Sequence, residues 1–330
     1  MDRAELAARL ATATVAEWPI LLDRYAALAD RDLAQALKAL YLETNSSEPQ
    51  RASGAAAALT ALANANNDLE IQALAAWTSG MAALQIEGQI ERAIARIDVA
   101  AAQFEALHQP HAAAATQVSK IYALAMLGRY DEAIECGLRA REVFLAYDDM
   151  LATGKIELNL GNIYDRRDQY REAEQLYRAA RERFKAVGDQ RQLTFADNGL
   201  ANVLSMQHNF RAAAQLYEQA LARAAAAGLE ITQAEIECNL GCLALEQGRY
   251  DRALDYLEQS RRRYAMLEMP HESAIAEQQL ADAYCVPLAC RTAEPEREER
   301  VRAAGPPALG AIASGRQVRD QPEVPEQQGQ

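Results

Sequence analysis

A motif that recurs at a fixed period of about 40 residues constrains the fold of this chain more than any other feature of its sequence. The clearest copy runs through Asn159, Leu160, Gly161, Tyr164, Tyr170, Ala173, Leu176, Tyr177 and Ala180. The position of Gly161 is repeated at Ala201 and Gly241, and that of Ala173 is repeated at Ala93, Ala133, Ala213 and Ala253, so that five units share one register without an insertion. A fixed period of this length is typical of solenoids, in which each unit packs only on its neighbours. The chain is therefore expected to form a linear array of similar units.

Each unit is predicted to consist of two helices. Leu160, Ile163 and Tyr164 follow the i, i+3, i+4 spacing of one helix face. Gly188-Asp189 marks a junction between units, where glycine ends one helix and aspartate caps the next, and Gly248 marks a break inside a unit. Alanine, the best helix former, dominates long stretches, while aromatic residues make up only 6% of the chain. The sequence therefore predicts an all-α fold of helix–turn–helix units.

The motif resembles the tetratricopeptide repeat. The matching residues are Leu160, Gly161, Tyr164, Tyr170, Ala173, Tyr177 and Ala180, with counterparts every 40 residues. The resemblance implies a right-handed α-solenoid of antiparallel helix pairs, with about six repeats and a truncated last one. The period exceeds the usual one of roughly 34 residues. A similar lengthening occurs in Pins/LGN-type adaptors, in kinesin light chains and in bacterial arrays that precede CHAT caspase-like protease domains, and the alanine-rich texture resembles the last group most.

The array is expected to occupy residues 68–284. Its predicted units are 68–107, 108–147, 148–187, 188–227 and 228–267, followed by a half-unit at 268–284. Residues 1–67 are expected to form N-terminal helices and a degenerate capping repeat, because terminal repeats of solenoids are often atypical. In that repeat, Tyr41, Ser53 and Thr60 stand three periods before Gly161, Ala173 and Ala180.

Residues 285–330 lose the helical period and are rich in proline, arginine, glutamate and glutamine, which predicts a disordered tail. Because the period stops abruptly, we hypothesise that the reading frame departs near Cys285, by frameshift or truncation, from a longer ancestral protein. The half-unit would then leave an uncovered apolar edge near Tyr284, through which copies could associate with one another.

The net charge of −13 argues against nucleic acid or an anionic membrane as a partner. It fits either plain solubility or a basic partner. The N-terminus lacks the apolar core of a signal peptide and no apolar run approaches the length of a membrane span, so a cytoplasmic location is expected. The five cysteines have no disulfide-framework spacing, and Cys238 and Cys242 are expected to be structural thiols.

The sequence predicts no catalytic, cofactor-binding or metal-binding site. Thr153-Gly154-Lys155 lacks the upstream glycine of a phosphate-binding loop, and no dinucleotide or zinc-helix motif is present. The four histidines all fall at predicted turns, and the acidic residues are expected to be spread over solvent-exposed faces. The chain is therefore predicted not to be an enzyme.

The resemblance implies that the first helix of each unit lines a concave groove. The predicted partner-binding residues are Lys155, Asn159, Asn162, Arg166, Asn198, Asn202, Glu235 and Asn239. Amide side chains can donate to and accept from a peptide backbone, although they can equally tie neighbouring helices together. The groove is predicted to change from apolar, at Tyr122 and Met126, through amide-rich to acidic, and it lacks the basic cluster that captures a C-terminal carboxylate.

The leading functional prediction is a non-catalytic scaffold or regulatory module that binds a peptide or protein in this groove. The alternative is the N-terminal sensor array of a truncated multidomain effector, such as a CHAT-type protease or a transcription regulator, whose catalytic part is absent.

Overall fold

A computed structural model describes residues 1–45 and 47–284, and in these residues the regular structure is entirely helical, which confirms the predicted all-α fold. A short 3-10 turn, Ala26–Leu28, follows the second helix. The α-helices are α1 (Arg3–Thr12), α2 (Glu17–Arg24), α3 (Arg31–Thr44), α4 (Pro49–Ala65), α5 (Leu69–Gln85), α6 (Ile90–Ala106), α7 (Pro110–Met126), α8 (Tyr130–Ala146), α9 (Met150–Arg166), α10 (Tyr170–Val187), α11 (Gln190–Met206), α12 (Phe210–Ala226), α13 (Glu230–Glu246), α14 (Tyr250–Met266) and α15 (Pro270–Tyr284). The predicted tail at 285–330 lies outside the described residues.

The helices form an α-solenoid with an inner and an outer layer. From α3 onward each helix packs on the next one in the chain, and the odd-numbered helices also pack on the next odd-numbered helix. The even-numbered helices pack mainly on odd-numbered ones. Odd-numbered helices are therefore closer together and form the inner, concave layer, as predicted for the first helix of each unit.

The period of the array also appears in the backbone conformation of its turns. Residues with positive φ stand at evenly spaced positions, namely 88, 108, 128, 148, 168, 188, 208, 228, 248 and 268. Half of these residues are glycine, and the others include His108 and His208. A residue in the left-handed region ends a helix and lets the next amide bond back to it, as the Gln169 amide does to the carbonyl of Tyr164 at 2.9 Å. His108 and His208 are thus turn residues, as expected, whereas His111 and His271 lie in the first turns of α7 and α15.

One turn contains an extra residue, which corrects the expected uninterrupted register. Four residues, 86–89, join α5 to α6, whereas three residues, 127–129, join α7 to α8. A Cβ on Gly80 would lie 2.9 Å from the Ile97 side chain, and one on Gly161 would lie 2.8 Å from the Tyr177 ring. Gly80 is therefore the counterpart of Gly161, although an exact repetition of the period would select Met81.

The same one-residue offset applies to the N-terminal repeat. Ala52 and Leu59 are buried, whereas Ser53 is exposed and Thr60 is only half-buried. The helix interface of α4 is therefore formed by Ala52 and Leu59, and not by the residues that an exact period would select. Tyr41 is fully buried in α3.

The two ends of the described array differ. At the front, α1 packs on α3 and α4, and α2 packs on α4. At the back, α15 exposes 46% of Ile275 and 62% of Tyr284. Association of copies through this surface stays a prediction.

Candidate functional site in the inner groove

All eight predicted groove residues lie on three consecutive inner helices, α9, α11 and α13. Asn162, Arg166 and Glu235 are exposed, and Lys155, Asn159, Asn202 and Asn239 are half-buried. Asn198 is different, because only 6% of it is exposed. It lies below the groove surface and is hydrogen-bonded to residues of α13, and ligand contact by Asn198 stays a prediction.

Three asparagines and one glutamate form a hydrogen-bonded network between α11 and α13. The Asn239 amide nitrogen donates to the Oδ1 atoms of Asn198, at 3.2 Å, and of Asn202, at 3.1 Å. The Asn198 amide nitrogen donates to Glu235 Oε1 at 3.1 Å. In this part of the groove the asparagines therefore tie neighbouring helices together, and ligand contact by Asn202 and Asn239 stays a prediction.

Two buried tyrosines fix the orientation of groove amides. The Tyr177 hydroxyl donates to Asn162 Oδ1 at 2.7 Å, and the Tyr217 hydroxyl donates to Asn202 Oδ1 at 2.5 Å. Burial raises the pKa of both phenols, so they remain protonated donors at neutral pH. Because the oxygen of Asn162 is held from behind, its NH2 group is left to face the groove.

A stripe of four open polar side chains, which we call the α9 stripe, runs along α9. Lys155, Asn159, Asn162 and Arg166 follow one another at spacings of four, three and four residues, so they share one helix face over roughly 16 Å. Within the described part of the chain, Lys155, Asn159 and Arg166 make no side-chain hydrogen bond or ion pair. The α9 stripe therefore combines two cations at its ends with two amides between them, all available to a ligand.

The groove becomes acidic beyond this stripe. Glu235 keeps contact with solvent, yet the walls of the groove surround its carboxylate with protein atoms. This partial desolvation raises the pKa of Glu235, although the hydrogen bond from Asn198 acts in the opposite direction. Desolvation also raises the pKa of Glu246, which lies further along α13.

Glu235→Gln is expected to raise the Tm at pH 7.5. The folded-state pKa of Glu235 lies above its unfolded value, so the carboxyl group favours folding when protonated and loses this contribution as pH rises through the folded pKa. The advantage of the variant should shrink as pH falls toward the ordinary glutamate pKa of 4.5. Thermal melts across this range would test it, with the exposed Asp255→Asn as control. An equal Tm difference at all pH values would contradict the assignment.

The described residues contain no group of three or more His, Cys, Asp and Glu side chains that could hold a metal ion. Within residues 1–45 and 47–284, no helix is both long and apolar enough to cross a membrane. Cys136 is buried, Cys238 and Cys242 are half-buried, and all three are free thiols. Burial raises the pKa of Cys136 to about 11. Lys155 and the residues before it lie inside α9 and form no phosphate-binding loop.

Three acidic residues contradict the expectation that carboxylates cover only solvent-exposed faces. Glu157, Asp197 and Glu237 occupy the same position of three successive units and are almost fully buried. Glu157 accepts hydrogen bonds from Arg141 at 2.8 Å and from Arg183 at 2.7 Å, so guanidinium groups of α8 and α10 hold it from both sides.

The pattern continues along the array as an ion-pair ladder, which we define as Glu157, Asp197 and Glu237 with their arginine partners. Asp197 bonds to Arg181 and Arg223. Glu237 bonds to Arg263 at 2.9 Å. Leu221 occupies the repeat position of Arg141 and Arg181, so Glu237 lacks the second arginine. The ladder joins inner to outer helices and does not open into the groove. The regular spacing of the acids and arginines was the signal that could have revealed it.

Comparison with family models matches part of the chain to a known repeat. A family model described as tetratricopeptide repeat matches residues 112–186 and 191–266. No curated protein matches the chain.

Solved structures share the fold at low sequence identity. A signal transduction ATPase with numerous domains from Pyrococcus horikoshii, which has a tetratricopeptide repeat sensor, aligns with a TM-score of 0.66 at 14% identity, over 92% of this chain and 46% of that one. A Rap protein in complex with competence and sporulation factor aligns with a TM-score of 0.61 at 12% identity, over 91% of each chain. Aspartyl phosphate phosphatase F from Bacillus subtilis aligns with a TM-score of 0.54 at 14% identity, over 86% of this chain and 80% of that one.

Proposed function

Because residues 112–186 and 191–266 are tetratricopeptide repeats, we propose that the chain is a non-catalytic interaction module that binds a peptide or an extended segment of another protein along its inner groove. The α9 stripe is the observation that carries this proposal. Its side chains are open, they lie on the concave layer, and they are spaced to follow an extended backbone. The Rap protein that shares the fold was solved with a bound factor, which supports a ligand-binding role for an array of this kind.

The chemistry of the groove suggests the character of the segment. Asn159 and the NH2 group of Asn162 can bond to main-chain groups of an extended peptide without reading its side chains. Tyr122 and Met126 expose apolar surface on one side of the stripe, and Glu235 and Glu246 place negative charge on the other. We therefore propose a segment with apolar residues at one end and basic residues at the other.

The α9 stripe can be tested with a double variant. The double variant Asn159→Ala and Asn162→Ala is expected to weaken the binding of a captured peptide by at least about tenfold, because each lost hydrogen bond contributes about 1 kcal/mol. Candidate ligands would come from affinity capture with the wild-type chain followed by mass spectrometry, and their affinities would be measured by calorimetry with synthetic peptides. Gln175→Ala, an exposed change on α10, is the matched control. Wild-type affinity in the double variant would remove the groove from consideration.

A second candidate function has specific support. The Pyrococcus protein carries its repeats as a sensor, and this chain corresponds to less than half of that protein's length. The array could thus act as the sensor of a larger effector, of which CHAT-type proteases and transcription regulators are the classes suggested by the sequence. Coding sequence for further repeats or an effector domain in another frame after codon 285 would favour this candidate. In either role we propose a cytoplasmic location and no nucleic-acid or membrane partner.

A further inference from the structure

A cleft opens on the outer face of the array, where α4 and α6 flank α5. One lobe has a volume of about 600 Å³ and also involves α2, and a second lobe has about 390 Å³. The lobes share Thr60, Asn64, Ser79 and Arg96 in their walls, so they adjoin and form one elongated cleft. The groove on the concave layer is a separate surface.

The one-residue register offset explains why the cleft exists. Since Gly80 is the counterpart of Gly161, Ala76 occupies the place of Glu157 and Ser79 the place of Leu160. In the later unit, Glu157 and Leu160 are both fully buried and fill the space between outer helices. In the first unit, small side chains leave that space open.

The outer helix α6 also differs from its counterpart in the later unit, α10. Two units before Arg183, the arginine that holds Glu157 in the ion-pair ladder, the same position is occupied by Gln103. Its Oε1 atom is buried and has no hydrogen-bond partner among the described residues. A buried amide without a partner is costly, and here it lies in the wall of the second lobe. The protein therefore leaves a polar group behind this wall of the cleft without a partner among the described residues.

Charge and polarity differ between the two lobes. The larger lobe is lined by Trp18, Leu22 and a row of alanines, whereas amide side chains, Gln103 among them, dominate the smaller one. Arg92 is paired with Glu87 at 2.8 Å. Arg96, at the junction of the lobes, makes no hydrogen bond or ion pair with the described residues, which leaves one uncompensated positive charge.

We propose that this cleft binds a small amphipathic anion that consists of an aliphatic acyl chain joined through an amide to a carboxylate, as in an N-acyl amino acid. The acyl chain lies against Trp18 and the alanines of the larger lobe. The amide bonds to polar side chains at the junction of the lobes, Asn64 and Ser79, and the carboxylate pairs with Arg96. Guanidinium is the side-chain group best suited to bind a carboxylate. The size of the cleft is within the range of about 300–1,000 Å³ in which proteins bind small ligands.

Titration calorimetry of the whole chain with submicellar N-decanoylglycine tests the proposal. The wild-type chain should bind it, and the uncharged N-decanoylglycinamide should bind at least about tenfold more weakly because it cannot pair with Arg96. Arg96→Gln should weaken the binding of the acid by a similar factor and leave the affinity for the uncharged amide unchanged. Arg252→Gln, an exposed change on α14 away from the cleft, should bind both compounds as the wild type does.

A second variant tests the cavity itself. Ser79→Leu introduces the residue that Leu160 and Leu240 provide at the equivalent place, so it should fill the cleft, retain the fold by circular dichroism and abolish binding. No binding by the wild-type chain would overturn the proposal. Equal binding of acid and amide, or undiminished binding by both Arg96→Gln and Ser79→Leu, would also overturn it.

Discussion

Glu157→Ala is expected to lower the free energy of unfolding by about 3–5 kcal/mol. The carboxylate is fully buried between the guanidinium groups of Arg141 and Arg183, which belong to two different outer helices. Its removal leaves both arginines without the charge that compensates their partial desolvation and also creates a cavity. The loss should be measured by urea unfolding followed by circular dichroism, together with the Tm.

Glu135→Ala is the matched control for this prediction. Glu135 pairs with Arg139 one helical turn away on α8, and both side chains are largely exposed. Such pairs contribute about 0.3–0.5 kcal/mol, so this variant should unfold almost like the wild type. If the two variants lost similar free energies of unfolding, burial between two arginines would not explain the contribution of Glu157 to stability.

Gly54→Ala is expected to lower the free energy of unfolding by about 3 kcal/mol and to detach α1. A Cβ at this position would overlap the backbone carbonyl of Ala11, and the backbone of α1 cannot move aside without losing the packing of Leu6 and Leu10 against the core. Hydrogen exchange should therefore accelerate in residues 3–12, in addition to a lower Tm.

The neighbouring Ser53→Ala is the control for Gly54, because Ser53 is exposed and alanine favours the helix. It should leave both the Tm and the exchange of α1 unchanged. Unchanged exchange in Gly54→Ala would mean that α1 can shift on α4 without cost, and the close approach would then not hold the N-terminal end.

The two stability predictions bear on function because they concern what holds the inner helices in position. The ion-pair ladder fixes α9, α11 and α13 from behind, and the amide network fixes α11 against α13 from the front. The α9 stripe is left with open side chains on a rigid helix, which is the arrangement that favours ligand binding with little loss of conformational freedom.

The sequence alone was sufficient for the features that depend on local chemistry. Helix ends follow from glycine and aspartate at fixed positions, and close helix contacts follow from Gly161 and Ala173, so the all-α solenoid and its repeat family could be predicted. The position of the groove residues on the inner helices was implied by the resemblance to the tetratricopeptide repeat.

Only the tertiary structure decided what individual polar residues do. The hydrogen bond between Asn198 and Asn239 places Asn198 in a network between α11 and α13. On α9, the side chain of Asn159 and the NH2 group of Asn162 are open. Glu157 is buried because arginines from two other helices neutralise it, and only the packing of these helices shows that the regularly spaced acids and arginines meet.

The outer cleft depended on the tertiary structure most of all. One extra residue in the turn at 86–89 shifts the repeat register of α5 by one residue. The face of α5 that an exact period would select is therefore wrong by about 100° around the helix axis, since consecutive residues of a helix differ by that angle. A pattern in sequence records which residues recur, whereas the neighbours that each side chain meets are set by how the helices pack. The repeat therefore determined the array, and the packing of its helices determined which side chains hold it together and which remain open to a ligand.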